Sequence, residues 1–68
     1  MDEDQLNISV RKYLKQFGVT TQRAIESAVR EAIQAGRLQG NESLKVKGTV
    51  AIASLGLRHE VEGEITLE

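Results

Sequence analysis

TTQRAIESAVREAIQAG, residues Thr20 to Gly36, decides the fold. Ile25, Ala28, Val29, Ala32 and Ile33 recur at i, i+3, i+4, i+7 and i+8, the spacing of one apolar helical face. Ala24 and Ala35 widen it, so the apolar arc is broad and built of small side chains that let another backbone come close. Thr20 or Thr21 can cap the start, since either hydroxyl can accept from an orphan amide. The Glu or Gln of a full capping box is missing, because Arg23 or Ala24 holds its place. Glu26 and Arg30 stand four apart in the favourable order. Gly36 supplies a left-handed stop.

Upstream of this stretch, Leu6, Val10, Tyr13, Leu14 and Phe17 make a second apolar stripe, and Gly18 follows it. The acids Asp2, Glu3 and Asp4 lie at its start, and Arg11, Lys12 and Lys15 lie toward its end, which complements the helix dipole. The expectation is two helices, about 3–17 and 21–35, joined by a link so short that it forms an αα corner or hairpin. Ile8 falls on the far side of the first stripe, among Arg11, Lys12 and Lys15. Single exposed apolar residues are common. A contact with another chain through Ile8, Arg11 and Lys15 is the sharper reading.

Downstream, Arg37 to Ser43 is a loop by its Gly, Asn and Ser content. The period then changes to two. Leu44, Val46, Val50 and Ile52 alternate with Lys45, Lys47 and Thr49. Leu57, Val61, Ile65 and Leu67 alternate with Arg58, Glu60, Glu62, Glu64 and Thr66. Two such runs around Ser54-Leu55-Gly56 read as a β-hairpin with strands about 44–53 and 58–66. Folding the chain about Leu55-Gly56 sets Val50 against Val61, Val46 against Ile65, Leu44 against Leu67, and Gly48 against Gly63. On the other face Lys47 meets Glu64 and Thr49 meets Glu62. A one-residue slip would set apolar side chains against charges. The facing glycines would form a shallow trough for the alanine-rich helix, or else mark a bulge. The fold class expected is therefore α+β, with two N-terminal helices packed on one face of a C-terminal antiparallel hairpin, as one domain over residues 1–68.

Composition narrows the function classes. The chain has 68 residues and a formal net charge of −1, with no Cys, Trp or Pro. That size is below the ~70–80 residues at which one core suffices without a staple. No disulfide or thiolate metal site can form. No apolar run approaches the ~18 residues of a membrane span. The acidic start, MDEDQ, is unlike a secretory or transit peptide, and a cytoplasmic location is expected. Leu67-Glu68 is compatible both with a native end and with a cloning scar.

The pattern Leu6-Asn7, Ser9-Val10-Arg11-Lys12, Leu14-Lys15, Gly18-Val19-Thr20, Gln22-Arg23, Ile25-Glu26 and Ala28-Val29-Arg30 resembles a family of short bacterial proteins catalogued only as a domain of unknown function. The likeness covers a little under half the chain. It implies no activity, ligand or catalytic residue.

Tests for chemistry return little. His59 is the only histidine, placed on the apolar face opposite Ile52, where partial burial at the end of the sheet accounts for it. Ser9, Ser27, Ser43 and Ser54 have no base that the sequence sets beside them. Glu60, Glu62 and Glu64 read as a solvated face, and the scattered glycines form no phosphate loop. No catalysis, cofactor or metal is expected. Two helices and a hairpin also resemble part of a winged helix, with Gln22, Arg23, Arg30, Lys45 and Lys47 as nucleic-acid contacts. The negative net charge and the glutamate row oppose that reading. A binding or structural module remains, working through protein–protein contact. A weak homodimer or an unidentified protein partner is expected, and neither membrane nor nucleic acid.

Overall fold

The structure, a computed structural model, describes residues 1–68 in two units, Met1–Arg37 and Leu38–Glu68.

The first unit is one helix, α1, Glu3–Gln34. Asp2 caps it: its carboxylate accepts from the Gln5 N–H at 3.0 Å, and its carbonyl accepts from the Leu6 N–H. Glu3 and Asp4 fill the acidic first turn. At the far end Ala35 is the C-cap and Gly36 adopts φ 79°. The Arg37 N–H donates to Ala32 O at 2.8 Å and the Gly36 N–H to Ile33 O at 3.1 Å, which is the Schellman arrangement. The expected glycine stop stands.

The expected break at Gly18 does not. One helix runs where two were expected, and the order is αββ rather than ααββ. Gly18 is helical without a positive φ. Thr20 does not cap a second helix, for its hydroxyl donates back to Gln16 O at 2.9 Å and sits 3.4 Å from Phe17 O. The reason lies in the phase of the apolar row. Leu6, Phe17 and Ala28 are eleven residues apart, as are Val10, Thr21 and Ala32, and Leu14 and Ile25. Eleven residues are close to three helical turns, so the row crosses Gly18 without leaving its side of the helix. Gly18, Val19, Thr20 and Thr21 together cost about 2–3 kcal/mol of helix propensity relative to alanine. That is a tax on continuity and not a stop signal.

In the second unit β1, Ser43–Ile52, pairs antiparallel with β2, Leu57–Thr66. The strands were expected at 44–53 and 58–66, and the faces are as expected. The pairing is displaced by two residues. Leu44 faces Ile65, Val46 faces Gly63, Gly48 faces Val61, Val50 faces His59, and Ile52 faces Leu57. The two glycines are therefore diagonal neighbours, each opposite a valine, and His59 opposes Val50 rather than Ile52. A two-residue displacement preserves which side chains share a face, so face patterning could not detect it.

The turn selects the register. Ala53–Leu55 form one 3-10 turn, the Gly56 N–H donates to Ala53 O at 3.1 Å, and Gly56 takes φ 63°. The loop is Ala53 to Gly56, with glycine in its left-handed last place. The polar face agrees: Lys45 faces Glu64 and Lys47 faces Glu62, two opposite-charge pairs where the expected register offered one.

The entry loop is tied by one side chain. The Glu42 carboxylate accepts from the backbone N–H groups of Gln39 at 2.8 Å, Gly40 at 2.9 Å and Asn41 at 3.2 Å. Its carbonyl accepts from the Leu67 N–H at 3.1 Å. These amides, Gln39 first and Gly40 next, hold the Glu42 carboxyl below its ordinary pKa.

Candidate interaction surface

No side chain in the chain is buried. Phe17, Thr21, Ile25, Val29 and Ala32 are half-buried along α1, at helical spacing. Leu6, Val10, Tyr13 and Leu14 are about half exposed, at 50%, 46%, 51% and 51%. Tyr13 and Phe17, one turn apart, tilt against each other with ring centroids 6.2 Å apart. The apolar row is thus a continuous surface feature from Leu6 to Ala32. On the hairpin, Leu44, Val46, Gly48, Val50 and Ile65 are half-buried, while Ile52, Leu57 and Val61 are exposed.

The residues singled out in the sequence fall as follows. Ile8, Arg11, Lys12 and Lys15 border one shallow hollow on α1, with Ile8 58% exposed. The structure brings these together. Gln22 donates to Glu26 at 3.2 Å, and Arg23 and Arg30 lie two turns apart on the same polar side of α1. Lys47 pairs with Glu60 at 3.3 Å, and Glu60 also takes Arg58 at 2.8 Å. Ser43 donates to Glu64 at 3.1 Å. The lysines of the proposed wing therefore stand among carboxylates, and the two-helix element of a winged helix is replaced by a single helix. His59 is exposed rather than partly buried. No group of three His, Cys, Asp or Glu side chains is placed to hold a metal ion. No helix is long and apolar enough to cross a membrane.

The Leu6–Ala32 row was read in the sequence as two stripes on two helices joined by a short link. Its eleven-residue repeat was the signal that they are one stripe.

A long helix followed by an antiparallel two-stranded hairpin defines a small α+β helix–hairpin chain. It belongs to a family of unknown function, DUF6494, whose pattern matches residues 1–68 and so extends over the hairpin as well as the helix. No curated protein and no solved structure matches the chain.

Proposed function

We propose that this chain is a non-enzymatic binding or structural module of the bacterial cytoplasm, acting through protein–protein contact, and that its first partner is a second copy of itself in a weak homodimer. The carrying observation is surface. Along α1, Leu6, Val10, Tyr13 and Leu14 stand 46–51% exposed, and on the hairpin Ile52, Leu57 and Val61 are exposed, with no residue of either unit buried. A two-stranded hairpin is marginal by itself in water, and a helix rests mainly on the packing of its apolar face. Association supplies what neither unit has alone.

Sedimentation from micromolar to near-millimolar concentration tests this. The expected result is a mass that rises to the dimer, and a Phe17→Asp chain that stays monomeric. A constant monomer mass over the whole range, in a chain that remains folded, overturns the proposal.

A further inference from the structure

We infer that two copies of α1 pair antiparallel along the Leu6–Ala32 row, centred near residue 19; this rests on the self-association proposed above. The apolar row is uneven. Its first half carries large side chains, Leu6, Val10, Leu14 and Phe17; its second half carries Thr21, Ile25, Ala28, Val29 and Ala32, two of them alanine. Laid on a reversed copy of itself, the row sets large against small at three places and like sizes at the fourth. Leu6 meets Ala32, Val10 meets Ala28, Leu14 meets Ile25, and Phe17 meets Thr21. These pairs have nearly constant residue sums, so one alignment satisfies all of them. A parallel copy would stack Leu6, Val10, Leu14 and Phe17 each on its own kind. It would leave alanine against alanine at the other end, so a constant helix separation could not fill both halves.

Charge favours the same arrangement. A parallel pair brings the Asp2, Glu3 and Asp4 clusters of both copies together. An antiparallel pair separates them by the length of α1 and sets each toward the end of the partner that carries Arg30 and Arg37. The eleven-residue spacing keeps the row on one side of the helix, so contact can persist from Leu6 to Ala32, about 40 Å. The occupant is thus a second copy of this chain, because at three of four places the row's second half complements its first and reversal keeps the acidic starts apart.

The chain has no cysteine, which makes the test clean. Full-length Val10→Cys and Ala28→Cys chains are mixed in equal amounts and oxidised mildly. An antiparallel pair places positions 10 and 28 side by side, within the short Cα separation a disulfide allows. The two positions 10 stand about 27 Å apart along the axis. The expected product is the mixed 10–28 disulfide, dominant over either symmetric one. In a second measurement, independent of the row, a spin label is carried on Gln5→Cys. The expected separation is about 40 Å between labels, against less than about 20 Å for a parallel pair. Symmetric disulfides with close labels overturn the antiparallel arrangement while leaving the homodimer standing. A dimer with no disulfide and no fixed label distance places the contact elsewhere and overturns it too. A monomer at every concentration removes this inference together with the reading it rests on.

Discussion

Replacing Gly18 with alanine separates a continuous helix from a broken one by the sign of a single measurement. Gly18 lies inside α1 with no positive φ, and a Cβ built on it meets no atom within 4 Å. Alanine at a helix interior is favoured over glycine by about 0.8–1 kcal/mol, partly because the unfolded chain has fewer conformations to lose. Gly18→Ala should therefore stabilise the chain by about 1 kcal/mol, a rise of roughly 4–8 °C in Tm for a chain of this size. Far-UV circular dichroism on heating and in urea, at one fixed protein concentration, measures it. Gly36→Ala is the control of opposite sign. Gly36 holds φ 79° in the Schellman cap, and an L residue there costs about 1–2 kcal/mol. If Gly18 were the left-handed end of a first helix, its alanine variant would behave like that of Gly36. Destabilisation by Gly18→Ala, with helical signal unchanged or reduced, refutes the continuous helix.

The other predictions concern the ends and the hairpin. Asp2→Ala removes the side chain that accepts from Gln5 and should cost about 1 kcal/mol, read in the same melts. Gly63→Ala should be neutral or stabilising by up to about 1 kcal/mol, since the new Cβ would lie 3.8 Å from Val46 Cγ1, an ordinary contact; a clear loss would reveal another backbone lying against that strand. The Glu42 carboxyl is lowered in the folded chain, so its contribution is complete above the unfolded-chain value of about 4.3 and is lost as pH falls through the lower folded value. Amide shifts of Gln39, Gly40 and Asn41 should titrate together with a midpoint below that of an ordinary glutamate. Glu42→Gln should abolish the step, and a midpoint at the ordinary value would contradict the three-amide grip.

The sequence carried the parts of this fold that local chemistry dictates. The second half of α1, its Gly36 cap, the hairpin and the inward and outward faces of both strands are readable because each depends on period or on one residue's conformational freedom. The continuity of α1 was misread because Gly18 and the threonine pair are each a break signal in isolation, while the row that overrides them spans eleven residues at a time. The hairpin register was missed because an even displacement leaves both faces intact, and only the glycine's place in the turn and the second lysine–glutamate pair distinguish the alternatives. The grouping of Ile8, Arg11 and Lys15 on one side of α1 was legible, since it needs only helical geometry. The larger apolar row was legible as residues but not as a surface, because deciding what covers it requires the fold.

The displaced register has a kinetic meaning. A second pairing, with Gly48 against Gly63 and Val50 against Val61, keeps every apolar residue on its own side. It is a self-consistent competitor to the native ladder, and burial pattern alone cannot disfavour it. A slip of two residues is thus the mispairing that face patterning does not penalise in this hairpin. What disfavours it is small and local: the left-handed Gly56 that ends the turn and the two lysines that both find glutamates. A variant that removes both would leave a chain whose strands form readily and pair in two ways, with exchange between them showing as doubled resonances along β1 and β2.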